Sequence, residues 1–489
     1  MNLAQIVAVL PFYHTDVTVE HLNINSIHVD SREVTTGDLF ICIKGFTVDG
    51  HDFAKQAVEH GAVAVIAERA LDLSVPTIIV PDTTRALAKI AAKFFNDPTE
   101  QLQLIGITGT NGKTTITYIL EAIFQMYQKK TGIIGTIQMK IGNQVRPIVN
   151  TTPDAFQLQR SFHEMVEQNV QYAMMEVSSH ALDLGRVAGC NFNVAVYTNL
   201  SQDHLDYHEN MTKYLQAKTL LFSQLGNSYA TDQTKFAIVN DDDPYCEAII
   251  KSTTQDIVTY GLTDHALIYA TNINLEPTGT TFDLHTPTGT LSINSKLIGK
   301  FNIYNMLAAI SVAYVYDIPL KVIKRALERI QGVSGRFERV DAGQDYTVIV
   351  DYAHTPDSLA NVLETIRQFA RGKVYVVVGS GGDRDRTKRP LMADVALKYA
   401  DYTFFTSDNP RTEKPEAIID DMVRHLTDDR FTVHIDRKEA IFQAIQQAVT
   451  DDIVLIAGKG HEVGQEINGK IYPFDDREVA KEAINHKEF

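Results

Sequence analysis

The sequence predicts an α/β protein of three units, and three observations carry that expectation. The chain has 489 residues, too many for one compact core at ~100 to 200 residues per domain. Short apolar runs recur, each closing in polar or Gly-rich residues: "VQYAMMEVSSH", "FNVAVYTNLSQDH", "FAIVNDDDP", "TVIVDYAHTP", "VYVVVGSGGDRD", "YTFFTSDNPR" and "IVLIAGKGHE". Runs apolar on both faces read as strands of parallel sheets covered by helices, and such sheets bind ligands at the carboxyl ends of their strands. Loop-like stretches at Asp97 to Gln103 and Gln331 to Arg336 divide the chain. Residues 1–100 are expected to form a smaller α/β unit, 101–332 a middle unit, and 333–489 a second, doubly wound sheet.

Composition narrows the function classes. A formal net charge of -16 argues against nucleic-acid or anionic-membrane partners, so any anionic ligand must be held by local Arg, Lys, metal or backbone N–H groups. Three scattered cysteines, Cys42, Cys190 and Cys246, fit neither a disulfide framework nor a Cys-based zinc site. A reducing cytoplasm is the simplest compartment. The N-terminal "MNLAQIVAVLPFYHTD" lacks a basic lead and a small-residue cleavage site, and is expected to be an amphipathic helix. No run of ~18 apolar residues occurs, so no membrane insertion is expected.

The middle unit opens with "LQLIGITGTNGKTT", followed by "ITYILEAIFQMYQ" at helical spacing. The standard phosphate loop wants Gly five positions before the Gly of Gly-Lys-Thr, and that position is Ile107. The local stretch still suits an anion. Gly109, Asn111 and Gly112 allow inward-pointing N–H groups, Lys113 adds a cation for terminal phosphates, and Thr114 sits where a hydroxyl would ligate Mg²⁺. The helix that follows turns its positive end toward the same point.

Other strand ends supply metal-binding types. Glu176 of "MMEVSSH" closes a buried strand, where a bare carboxylate must be paired or metal-bound. Asp203, His204, Asp206 and His208 of "TNLSQDHLDYH" offer oxygen and imidazole donors that suit Mg²⁺ better than zinc. Lys218 of "YLQAKTLLF", by spacing alone, reads as a helix lysine snorkelling past Leu215, Leu220, Leu221 and Phe222.

Nine ordered motifs, "GTNGKTT", "MEVSSHAL", "TNLSQDHLDYH", "GKFNIYN", "GVSGRFE", "DYAHTPDSL", "GSGGDRDRTKRP", "DNPR" and "GKGHE", together resemble the Mur ligases of peptidoglycan synthesis. With "DSREVTTGDLFICIKG" near the N-terminus, the likeness covers nearly the whole chain. It implies an N-terminal UDP-sugar domain, a central P-loop ATPase-like domain with a mostly parallel sheet, and a C-terminal Rossmann-like domain for an amino acid. It further implies that ATP phosphorylates the D-Glu carboxylate of UDP-MurNAc-L-Ala-D-Glu, and that the incoming amine displaces phosphate.

The resemblance also assigns residues. Gly109, Thr110, Asn111, Gly112, Lys113, Thr114 and Thr115, with Asn302, Arg336 and Asp351, would bind ATP. Ser31, Asn150, Thr151, Thr152, Ser178 and Arg186 would take the UDP-MurNAc-dipeptide. Thr114, Glu176, His204 and Lys218 would ligate two Mg²⁺ ions, and Lys113, Glu176, His204 and Lys218 would be catalytic. Here the resemblance reverses the reading of Lys218, which would carry a CO₂-derived carbamate and so become an anionic oxygen ligand. Asp203, Asp206 and His208 then read as supporting residues. Leu184 replaces a Gln common in the family.

For the added amino acid, Arg384, Asp408, Asn409, Pro410, Arg411, Gly458 and Glu462 would hold meso-diaminopimelate. Arg411 would take the distal carboxylate that L-lysine lacks. An L-lysine-adding ligase, a folylpolyglutamate-type ligase and a nucleotide-dependent switch are the competing readings. A cytoplasmic monomer acting on small molecules is expected.

Overall fold

The computed structural model describes residues 1–15, 21–45, 48–148, 150–227, 234–276 and 278–487. Three sheets carry the architecture, with a small hairpin beside the third. The first has four parallel strands in chain order, Ile27–His28, Asp38–Ile41, Ala62–Ala67 and Thr77–Ile79. Helix Thr83–Phe94 starts where Asp82 accepts the Arg85 N–H, and it turns Leu87 and Ile90 onto this sheet. The expected amphipathic N-terminal helix is one short segment, Leu3–Val7, and Pro11, which cannot donate an N–H, lies four residues past its end.

The second sheet has eleven strands, and its centre runs parallel. Strand Gln103–Thr108 lies between Tyr172–Glu176 and Val194–Tyr197, paired in parallel with both. Pairing of Ile107 with Glu176 and of Thr108 with Tyr197 brings three strand ends to one edge. The sheet also contains antiparallel strands at both margins, including Gly279–Thr286 and Gly289–Ser295, which the parallel pattern does not anticipate. Their alternating exposure, one face covered and one solvated, is the reason they lack the continuous apolar run.

The third sheet orders its six strands as Glu338–Val340, Thr347–Asp351, Ile453–Ala457, Val374–Val378, Tyr402–Thr406 and Phe431–His434. Alternate residues enter opposite cores. Ile349, Val376 and Leu455 pack against helices Pro356–Phe369 and Lys388–Tyr399, whereas Val350, Val377 and Ile456 meet Arg437–Gln447 and Asp476–Asn485. This two-sided burial is the doubly wound arrangement expected from the sequence.

The second and third units meet at the phosphate loop. The Asp357 carboxylate accepts from Ser201 Oγ at 2.7 Å and Asn111 Nδ2 at 3.3 Å, and Arg336 Nη2 donates to Thr114 Oγ1 at 3.1 Å. Within the third unit, Arg437 and Asp476 are fully buried and joined at 2.7 Å, and Arg437 also donates to the backbone oxygens of Ser407 and Ala457. That guanidinium therefore ties together the ends of two strands. Removing Asp476 leaves a buried cation without its counter-charge, so Asp476→Ala should lower stability by about 3–5 kcal/mol. Chemical denaturation followed on the third unit checks this, and a loss below about 1 kcal/mol would show the pair to be dispensable.

Candidate active site

The strand ends of the second and third sheets enclose one cavity of about 1210 Å³. At its floor the phosphate loop turns from strand Gln103–Thr108 into helix Lys113–Met126. Gly109 and Gly112 have φ of +147° and +92°, a region that favours glycine, whereas Asn111 keeps an ordinary backbone. Asn111 instead contributes contacts. Its N–H donates to Asn199 Oδ1, and its carbonyl accepts from Thr198 Oγ1. Lys113 folds its ammonium onto the carbonyls of Gly109 and Thr110, both at 2.8 Å, and burial lowers its pKa. The loop thus closes on itself without an upstream glycine at Ile107, which is buried in the sheet.

Above the loop, Glu176 accepts from Thr114 Oγ1 at 2.9 Å and from both the N–H and hydroxyl of Thr136. The expected cost of burying this carboxylate is met by those donors. Thr151 Oγ1 lies 3.2 Å from Thr136 Oγ1, Thr152 Oγ1 donates to the Glu176 carbonyl, and Ser178 N–H donates to Thr152 Oγ1. Arg186 Nη1 donates to the Thr152 carbonyl at 3.0 Å. Asn150, Thr151, Thr152, Ser178 and Arg186 therefore form one continuous wall, which Leu184 joins. Ser31 lies apart from this cavity, where its hydroxyl donates to Gln56 Oε1.

Lys218 corrects the snorkelling expectation. It is 1% exposed on helix Met211–Ser223, with its ammonium 4.4 Å from the centroid of the Tyr214 ring. The helix turns this position inward, toward the cavity it lines, and leaves Leu220 on the outside, so the ammonium does not snorkel to the outer surface. Burial, with Lys113 nearby, pushes its pKa well below that of an ordinary lysine. No described carboxylate lies within ion-pair distance of it. The His204 ring is 6.2 Å from the same Tyr214 ring, and burial lowers its pKa to about 4. Asp203 lies 3.3 Å from His204 Nε2, and His208 Nε2 lies 2.9 Å from Ser179 Oγ. Among the described residues no three His, Cys, Asp or Glu side chains converge in a metal-binding group. The oxygens of Thr114 and Glu176 are hard donors that suit Mg²⁺, and an anionic Lys218 would supply another in the same cavity.

The third sheet supplies further residues of the site. Arg384 and Glu462 line the cavity, and Arg411 approaches Arg384 across Gly381. Arg411 has φ of +51° and is pinned from both sides. Its Nη1 donates to Gly382 O at 2.8 Å, and its Nε lies 3.2 Å from Glu466 Oε2. Nη2 has no protein partner among the described residues. Glu462 Oε2 accepts from Asn409 Nδ2 and from the buried Lys459 ammonium, which leaves Oε1 unclaimed. Asp408 is buried beside Gly458, and Pro410 O packs against Gly382.

Two nucleotide candidates are placed differently from a direct contact. Asn302 is 2% exposed, and its side chain holds Asn305 Nδ2 at 3.1 Å; Asn305 is the residue on the cavity wall. Asp351 lines the wall, but its two oxygens accept the N–H groups of Phe337 and Ala353. Arg336 stacks on Tyr352 at 4.5 Å and reaches Thr114. Residues missed from the sequence include Asn199, Asn305, Thr136, Lys459 and His354. Asn305 had a signal, because it sits one helical turn from Asn302 in the same motif.

The fold and cavity define a nucleotide-binding α/β protein that faces a phosphate loop with an arginine-lined pocket. Three family models match the chain: Mur ligase family, catalytic domain, over residues 23–95; Mur ligase middle domain over 107–313; and Mur ligase, glutamate ligase domain, over 335–460. The chain belongs to the Mur ligase family, whose members are ATP-dependent ligases. It is 56% identical to the UDP-N-acetylmuramoyl-L-alanyl-D-glutamate--2,6-diaminopimelate ligase of Oceanobacillus iheyensis, with all of both chains covered. It is 50% identical to the ligase of that name from Listeria monocytogenes, covering 100% of this chain and 99% of the relative. A solved structure of a ligase of that name superposes with a TM-score of 0.71 at 35% identity over 98% of each chain. MurF from Acinetobacter baumannii, at 20% identity and a TM-score of 0.66 over 99% and 98% of the two chains, shares the fold.

A Cβ at residue 109 would sit 1.7 Å from Thr198 Oγ1, and the backbone there is already strained for any L side chain. Gly109→Ala should therefore abolish nucleotide binding. Titration with a fluorescent ATP analogue checks this, and unchanged affinity would mean that the loop cradles no phosphate.

Proposed function

We propose that the protein adds meso-diaminopimelate to the D-Glu carboxylate of UDP-MurNAc-L-Ala-D-Glu, releasing ADP and phosphate. The observation that carries this reading is a single cavity lined both by the phosphate loop and by Arg384 and Glu462. Activity of this kind needs three substrates to converge, and closely similar relatives bear the corresponding ligase name.

A carboxylate resists amine attack because its leaving group would be oxide. Phosphorylation converts it into an acyl phosphate whose leaving group is a stabilised anion. Lys113, released from its loop carbonyls, neutralises charge on the transferring phosphoryl group. Arg336 faces the same point from the third unit. Arg186, with Thr151, Thr152 and Ser178, orients the D-Glu end, and Asn150 belongs to the same wall. Thr114, Glu176, His204 and a carbamylated Lys218 would hold Mg²⁺, which supplies charge neutralisation between the two anionic reactants when bound. Lys218 is suited to carbamylation because burial lowers the pKa of its amine and it has no ion-pair partner among the described residues.

In the amino-acid pocket, Arg411 and Arg384 offer guanidinium donors for the carboxylates. Glu462 Oε1 is the acceptor left for an ammonium. L-Lysine would leave Arg411 without its carboxylate, a loss that discriminates strongly. Ser31, in the first unit, is the proposed uridine-side contact. A cytoplasmic setting fits these substrates, and no helix among the described residues is long and apolar enough to cross a membrane.

ADP release measured with the UDP-dipeptide and each candidate amino acid tests the reading. Release that requires meso-diaminopimelate is expected, and release independent of any amino acid would indicate a switch. Arg411→Ala should lower kcat/KM for meso-diaminopimelate by roughly 10- to 150-fold, the value of one hydrogen bond to a charged group. Wild-type efficiency in that variant would remove Arg411 from the pocket. Lys218→Ala should lose activity and regain part of it with small carboxylates but not with CO₂. Full activity without rescue would end the carbamate assignment.

A further inference from the structure

His354 stands in the cavity wall just past strand Thr347–Asp351, in "DYAHTP", and shares that wall with Lys113, Arg384 and Glu462. Its ring is half-buried, and Nδ1 lies 2.8 Å from the Tyr352 carbonyl. A carbonyl only accepts, so Nδ1 carries the hydrogen. In the neutral ring Nε2 therefore keeps its lone pair, and no described residue hydrogen-bonds to it. The charged groups facing the ring are Lys388 and Arg336 on one side of the balance and Asp203 and Asp408 on the other. Burial, followed by Lys388, holds the imidazole below its ordinary pKa, which favours the ring with its Nε2 lone pair free. His461 is the other histidine on the third-sheet side of this wall, but its Nδ1 is shut off from solvent.

We propose that His354 Nε2 accepts the proton of the incoming amino acid's ammonium group, an inference that rests on the ligase reading above. Glu462 can hold an ammonium and the arginines the carboxylates of the amino acid, yet an ammonium has no lone pair and cannot attack. Transfer of one proton to Nε2 gives the neutral amine and an imidazolium. The amine nitrogen then bonds to the acyl phosphate carbon, and the carbonyl becomes an oxyanion. When the carbonyl reforms, the carbon–oxygen bond to phosphate breaks, and the second amine proton leaves on the phosphate. The imidazolium returns its proton to solvent. His354 is thus a catalytic residue for the second half-reaction and has no part in the first.

Two nucleophiles separate these steps. Meso-diaminopimelate arrives as an ammonium and needs a base, whereas hydroxylamine is already neutral at neutral pH and attacks acyl phosphates unaided. His354→Asn retains a donor toward Tyr352 O but has no lone pair where Nε2 was. With the UDP-dipeptide and ATP, that variant should lose roughly 10²–10⁴-fold in kcat with meso-diaminopimelate while forming hydroxamate within about threefold of wild type. Its deficit should shrink as pH rises and more substrate amine is neutral. An equal loss with both nucleophiles, in His354→Asn and in His354→Gln, would make His354 structural and overturn the proposal. A wild-type rate in either variant with meso-diaminopimelate at neutral pH would overturn it too. Failure of the wild-type protein to use meso-diaminopimelate at all would instead reject the ligase reading.

Discussion

The parallel register between strands Gln103–Thr108 and Tyr172–Glu176 is the constraint on which the site depends. Pairing Ile107 with Glu176 makes the phosphate loop and a buried carboxylate leave the sheet side by side, so that Thr114 Oγ1 lies 2.9 Å from Glu176. Slipping one residue would turn Glu176 into the opposite core. It would also separate Thr136, Thr151, Thr152 and Ser178 from the loop, because each is tied to Glu176 directly or through one neighbour. A wall for one anionic substrate is thereby built onto the cradle for another.

The third sheet answers this arrangement from across the cavity. Its strand ends carry a different set of charges, and buried cations hold them in place. Arg437 ties the Ser407 and Ala457 carbonyls, and Lys459 ties Asn409 to Glu462. Arg389, fully buried, joins Glu413 and Asp421 beneath the loops that bear Arg384 and Arg411. Each such group is costly to bury, and each is matched by several acceptors, which favours one loop geometry over its alternatives. The two halves of the site are joined by contacts that include Arg336 to Thr114 and Asp357 to Ser201 and Asn111, and Ile298 and Phe301 pack into the core of the third unit.

Much of this was legible in the residues. Strands apolar on both faces, such as Val374–Val378 and Ile453–Ala457, are required wherever helices cover a parallel sheet on both sides, so their sequence betrays them. Strands such as Gly289–Ser295 keep one solvated face and gave no such run. The phosphate loop was readable because its chemistry is local: a cradle of backbone N–H groups, a lysine and a hydroxyl lie within six consecutive residues. Lys218 was not readable from spacing, since helical periodicity does not tell whether a polar residue among leucines faces outward or is sealed inward.

The sequence by itself determined the α/β class, the phosphate cradle from Gly109 to Thr114, and the residue types available at each strand end. Those follow from local periodicity and from side-chain chemistry that does not depend on partners. Only the tertiary structure decided which of them act together. It buried Lys218 against Tyr214, turned Asn302 away so that Asn305 reaches the cavity, filled both oxygens of Asp351 with backbone donors, and left His354 Nε2 and Arg411 Nη2 unclaimed by described protein groups. Which donors and acceptors remain free is a property of contacts between distant segments, and no local pattern in the chain encodes it.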